Sequence, residues 1–186
     1  MSGYGALAAP YRPPTFVPED HGLLAWTFDP MLAANSVQVS TGATLYRFKI
    51  KIPTARTITN IHFLVTSGGT FTSGQNFVAL YGADKALLSG SADQTANMGG
   101  TGFKTMPLST PQAVPPGIVY AAFWMNGSNL PTLARGTALS AVVPNANLSA
   151  ANSRVATANG SLTTGPAPAT IGTETASSQA LWIGLS

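Results

Sequence analysis

The sequence predicts an all-β chain: an antiparallel β-sandwich, jelly-roll-like, carrying an extended Pro-rich N-terminal arm. Three observations predict it. About eight short runs rich in β-branched and aromatic residues recur at near-regular spacing between turn signals. No segment holds a sustained 3.6-residue apolar repeat, so no amphipathic helix is expected. Finally, 19 Gly and 14 Pro among 186 residues punctuate the chain with turns and breaks. The apolar fraction of 45% suffices for a sizeable core, and the length fits one domain plus an appendage.

Residues 1–22 are the appendage. Pro10, Pro13, Pro14 and Pro18 hold them extended and prevent helix. Tyr4, Leu7, Tyr11, Phe16 and Val17 supply apolar anchors, unlike the Gly/Ser composition of a flexible linker. The arm is expected to lie along a surface, its own domain's or a neighbour's, and those five residues are the candidate assembly contacts.

The sandwich is expected over 23–186. LLAWTFD (23–29) reads as a first strand ended by Pro30, and 31–39 as a turn or irregular strand. TLYRFKIKI (44–52) alternates most cleanly. Tyr46, Phe48, Ile50 and Ile52 face a core, and Arg47, Lys49 and Lys51 face water or a partner, until Pro53 closes the run. TITNIHFLVT (57–66) puts Ile61, Phe63 and Val65 on one side and His62 with Leu64 on the other. Residues 71–94 hold a strand, a turn at Gly82-Ala83-Asp84-Lys85 and a second strand. Both faces of this hairpin are apolar, so it is expected to be covered on both sides.

FKTMPL reads as a short strand that Pro107 assigns to an edge or strand end. Pro115-Pro116-Gly117 is a turn. IVYAAFWM (118–125) is apolar on both faces and reads as a central strand. Residues 126–129 are expected to be a loop and 137–143 a further strand. Residues 145–179 turn Ala/Ser/Thr-rich and are expected to form a long ordered excursion anchored by Leu148, Val155, Leu162 and Ile171. ALWIGLS (180–186) reads as a last strand inside a sheet.

Charged residues make up 8% of the chain, far below the roughly 25% of an ordinary soluble domain. Such a surface suits either a Ser/Thr/Asn-faced secreted or heat-resistant domain, or a protein largely covered by neighbours. The net charge of +3 comes from few groups. The one basic cluster, Arg47, Lys49, Lys51 and Arg56, has Tyr46 and Phe48 on the opposite face, so nucleic-acid binding is not expected. No run reaches the roughly 18 apolar residues of a membrane span, and no signal-peptide pattern opens the chain, so assembly in the cytoplasm is expected. With no cysteine, disulfides and thiolate chemistry are excluded.

Catalytic groupings are scarce. The six carboxylates are Glu19, Asp20, Asp29, Asp84, Asp93 and Glu174, and no two have a local spacing that marks an acid/base pair. Only a fold that joined Asp29 to Asp93 would make one. Glu19-Asp20-His21 reads as a charged kink or a fragment of a cation site. No nucleophile elbow, phosphate loop, Ca²⁺ loop or zinc spacing occurs. No cofactor, no metal and no catalytic residue are expected. Trp26, Trp124 and Trp182 lie within strand patterns. If Trp124 faces outward beside Asn126 and Asn129, the three form a candidate glycan contact. Tyr81 is a second aromatic of that kind.

The stretches GLLAWTFDPMLAANS, TITNIHFLVTSGG, TSGQNFVALYGADKALLSGSADQT, GFKTMPL and FWMNGSNLPTLARG carry a further signal. Together they resemble a family of β-sandwich proteins encoded in actinobacterial phages and prophages among virion structural genes, over roughly residues 22–186. SGQNFVALY, SADQT and MNGSNLPTLARG are its most specific phrases. The resemblance implies a tail-fibre, minor-tail or head-decoration role and brings no catalytic residues. The expected function is therefore a non-enzymatic virion structural protein, a homotrimer docked through its arm onto major capsid or tail proteins. The alternative is a receptor-binding module of a tail fibre that recognises host cell-wall glycan.

Overall fold

Alternation across Leu45–Ile52 sends Tyr46, Phe48, Ile50 and Ile52 into one buried cluster, and that cluster is the filling of a two-sheet antiparallel sandwich. The computed structural model describes residues 16–40, 42–136 and 142–186. The first sheet contains β1 (Ala25–Trp26), β2 (Asn35–Gln38), β4 (Arg56–Ser67), β8 (Gly102–Val114), β11 (Thr132–Arg135) and β14 (Ile183–Leu185). Its order is β1-β14-β4-β11-β2, with β8 on the free side of β4. The second contains β3 (Leu45–Ile52), β6 (Phe77–Tyr81), β7 (Leu87–Gly90), β9 (Gly117–Trp124), β12 (Val155–Ala158) and β13 (Thr175–Ala176), ordered β13-β12-β3-β9-β6-β7. A small ribbon joins β5 (Thr70–Phe71) to β10 (Gly127–Asn129). The chain crosses repeatedly between the two large sheets, which together make an antiparallel β-sandwich.

Aromatic packing centres the core. The Phe123 ring stacks on Tyr46 at 5.2 Å and Phe48 at 5.8 Å from β3, and meets Phe63 of β4 edge-on at 5.2 Å. One ring thus ties both sheets together, and such pairs add about 0.5–1.5 kcal/mol each beyond their burial. The last strand is interior, since β14 pairs with β1 on one side and β4 on the other. The edge position read from Pro107 also holds. Pro107 faces Asn60 beside the register shift in the β4–β8 ladder, and among the described residues β8 pairs with no other strand.

The second sheet is covered on its outer face as well. Leu45, Phe77, Ala79, Tyr81, Tyr120 and Trp124 form a second buried cluster. Ala158, Ala167 and Ile171, with Leu162, roof it from the excursion. This explains why the hairpin and the 118–125 run are apolar on both faces. Of the expected anchors, Val155 and Ile171 are buried and Leu162 is half-buried, whereas Leu148 is exposed, so it anchors nothing. The excursion has more regular structure than expected, because β12 and β13 lie in it and extend the second sheet past β3.

Two further expectations are corrected. Residues 126–129 are not a plain loop, since β10 pairs with β5 there. Val142–Asn145 form a helical turn instead of the end of a strand, and 137–141 lie outside the described residues.

Candidate functional site

The outer face of the first sheet is only half covered, and that is where the arm meets the domain. Phe16 and Val17 lead into a 3-10 turn, Pro18–His21, closed by Gly22 at φ 70°. Asp20 fixes this turn by accepting from the Val17 amide at 2.9 Å. Glu19 pairs with Arg56 at 3.6 Å, an exposed bridge of little energetic weight. A run of rings then crosses the face. Phe16 packs on His21 at 5.8 Å, and His21 packs on Trp26 at 5.6 Å. Phe103 stacks on His62 at 4.9 Å and leans on Trp182 at 5.9 Å.

Alternation places these side chains on one face. His62 and Leu64 point opposite to Ile61, Phe63 and Val65, and Phe103 lies across the ladder from Leu64. Gly184 makes room for them, since a Cβ there would meet Trp182 Cη2 at 3.0 Å and Leu23 Cδ1 at 3.1 Å. Between the rings lies a cleft of about 250 Å3 lined by His21, Leu23, Pro30, Leu64, Phe103 and Trp182. Trp182 is buried, yet its Nε1–H meets no acceptor among the described residues. Phe103, in the cleft wall, is 54% exposed, and Phe16, packed on His21, is 63% exposed; Met31 and Leu32, which follow Pro30 in the chain, are exposed at 82% and 63%. Burial lowers the His62 pKa from 6.5 to about 4, against an opposing backbone hydrogen bond at Lys104. Its Nε2 lies 2.8 Å from Ser186 Oγ.

The basic cluster behaves differently from the solvated face expected of it. Arg47 does point away from the core, but the excursion covers it completely. Its Nε donates to Glu174 Oε1 at 2.5 Å, and its other nitrogens donate to the Ser153 and Ala150 carbonyls. Lys85 Nζ donates to Glu174 Oε2 at 2.6 Å and to the Ala151 carbonyl at 3.2 Å, and Lys49 Nζ to the Asn152 carbonyl at 2.7 Å. Arg47 also lies over the Tyr120 ring at 5.0 Å. Three cations thus clamp one turn of the excursion, Ala150–Ser153, to the second sheet. Burial first, then the Arg47 and Lys85 charges, hold Lys49 below the ordinary lysine pKa. Lys51 alone of the alternating set is exposed.

The remaining polar candidates hold loops. Asp29 caps a 3-10 turn through the Met31 amide at 2.8 Å, and Asp84 accepts from the Ala86 amide at 3.1 Å within its turn. Asp93 accepts from Gly74, Asn76 and Thr95. Partial burial raises its pKa, but these hydrogen bonds outweigh that and hold it below the usual carboxylate value. Asn76 completes the corner, donating to Thr72 and Thr95 and accepting from the Asn126 amide at 2.9 Å. Asp29 is bound within its own turn, whereas Asp93 ties its segment to the loop at Gly74 and Asn76. Among the described residues no three His, Cys, Asp or Glu side chains gather to hold a metal ion.

The candidate glycan contact is not presented as expected. Trp124 is fully buried and stacks on Phe77 at 5.1 Å, and Tyr81 is equally interior, donating to the Pro168 carbonyl. Asn126 turns its amide to Gln75 and Gly127, and Asn129 accepts from Gln38 at 2.8 Å. Of the candidate assembly contacts, Phe16 and Val17 are exposed at the cleft's edge, while Tyr4, Leu7 and Tyr11 lie outside the described residues. Sequence reasoning missed the cleft itself; the outward-facing pair His62 and Leu64 was its one visible sign. No described helix is long and apolar enough to cross a membrane. No protein-family model matches the chain, and no curated protein matches it either.

Proposed function

We propose that this chain is a non-enzymatic structural protein of a virion, on the capsid or in the tail, and that it docks through its N-terminal arm. The observation that carries this reading is the asymmetry of the sandwich. The chain roofs one outer face with its own excursion, whereas the other keeps an exposed apolar track at the foot of the arm. A contiguous exposed apolar surface of this kind marks an interaction site. Asp29, Asp84, Asp93, Glu174, Arg47 and Lys85 cap turns, pin loops or neutralise one another. The resemblance to phage virion proteins supplies the setting: a homotrimer, with capsid or tail proteins of the same particle as partners.

Deleting residues 2–15 tests this reading. The truncated chain should fold, with a melting temperature within about 2 °C of the full chain, and should be lost from assembled particles. Full occupancy by the truncated chain in purified particles would refute docking through the arm. The receptor-binding alternative has weaker support, since neither Trp124 nor Tyr81 offers a ring to a sugar.

A further inference from the structure

We propose that the cleft on the outer face of the first sheet receives the Pro10-Tyr11-Arg12-Pro13-Pro14 segment of a second copy's arm. This deepens the reading that the arm is the docking element, and it names the first partner as another copy of the same chain.

Three features of the cleft fit such an occupant. Its walls are Trp182, Phe103, Leu64, Pro30, His21 and Leu23, an apolar and largely ring-bearing lining. Aromatic-lined grooves hold polyproline segments, whose backbone is already extended and loses little entropy on docking. Pro10-Tyr11-Arg12-Pro13 has the Pro-x-x-Pro spacing of that recognition mode. The second feature is the Trp182 indole, buried with no acceptor for Nε1–H among the described residues. A buried donor without a partner is costly. A polyproline segment carries free carbonyls, because it makes no internal hydrogen bonds. The third is charge. Asp20 and Asp29 stand next to His21 and Pro30 in the chain, and the incoming segment brings Arg12.

The occupant is a second copy because of where this copy's arm emerges. Phe16 already packs on His21 at the cleft's rim. The chain leaves Phe16 through Pro14 and Pro13 with no glycine between Gly5 and Gly22. Val17 is extended, at φ −111° and ψ 161°. Folding back into the adjacent cleft would need a sharp reversal that two successive prolines oppose. As polyproline, the stretch from Phe16 back to Pro10 would span about 19 Å, a length suited to bridging from one copy to the next. An arm-to-cleft contact is heterologous and closes into a ring when the rotation permits, which suits a threefold assembly.

A mixing experiment on purified full-length chains tests this by sedimentation velocity. The cleft variant is Phe103→Ala, with Trp182→Phe as a second that removes the N–H together with the rest of the five-membered ring. The arm variant is Pro10→Ala/Tyr11→Ala/Pro13→Ala. The full chain should self-associate, and each variant alone should do so at least tenfold more weakly. An equimolar mixture of cleft and arm variants should yield a two-chain species, because one intact arm then meets one intact cleft. If the full chain is monomeric, or the variants associate as it does, or the mixture yields no two-chain species, the proposal fails. Should Trp182→Phe unfold, Phe103→Ala decides, since Phe103 is exposed. Particle incorporation remains a separate measurement. Loss of incorporation on arm deletion with unchanged self-association would sink this inference and leave the docking role standing.

Discussion

Arg47 shows what a single position can conceal. Its alternation with Tyr46 and Phe48 assigns it a face, and the face is as expected. What covers that face comes from more than a hundred residues away, at Ser153 and Glu174. A buried pair of this kind contributes little net stability but is costly to break, because the surviving charge keeps its desolvation without its partner. Replacing Glu174 with Gln should therefore lower the unfolding free energy by about 3 kcal/mol, read by urea titration. Amide exchange at Ala150–Ser153 should rise with it. A change below about 1 kcal/mol would equate the pair with an ordinary surface bridge. His62 makes the opposite kind of demand. Its folded-state pKa, about 4, lies below the ordinary 6.5, so the unfolded chain takes up the proton first as pH falls. Stability from this residue is complete above pH 6.5 and is lost on going down towards and through pH 4, by about 3 kcal/mol. A series of urea midpoints should show the loss in the wild type and a shallower slope in His62→Gln. Equal slopes would remove His62 as the cause.

At the scale of elements, legibility follows length and local punctuation. β3 and β9 are readable because eight residues carry a full pattern and Pro53, Pro115 and Pro116 mark their ends. β10 is three residues long and pairs with a two-residue β5, too short for any period to show. The corner that these short strands build is what the phrases TSGQN and SADQT encode: Asp93 and Asn76 tie together the ends of three segments. Gly127 is the tightest point of this region. A Cβ there would meet backbone, at 2.0 Å from the Thr70 oxygen and 2.9 Å from Phe71 Cα. Gly127→Ala should separate β10 from β5 and destabilise the chain by about 1–3 kcal/mol, visible as faster amide exchange at Thr70–Phe71. Unchanged exchange there would mean that the ribbon tolerates the shift. The excursion is half legible: its apolar anchors stand out, but β12 and β13 hide in an Ala/Thr composition that favours no strand by itself.

At the scale of the molecule, the sandwich was legible as an architecture and the cleft was not. A two-faced apolar strand announces a layer on each side of it, and the second sheet has both. The cleft draws on six residues from five separate segments, no more than two from any one. Deletion of residues 2–15 belongs here as well. The expected result, an unchanged fold with lost incorporation, separates what the domain needs to stand from what it needs to join. The placement of β14 also governs when this surface can exist. Trp182 comes just before a strand that fits between β1 and β4, while His21, Leu23 and Pro30 lie far earlier in the chain. A ribosome must therefore have passed residue 182 before the cleft has its back wall. A product truncated earlier also lacks β14 and its core residues Ile183 and Leu185, so it offers no seat for a neighbour's arm. The arm-to-cleft contact proposed above would therefore require a chain made past residue 182.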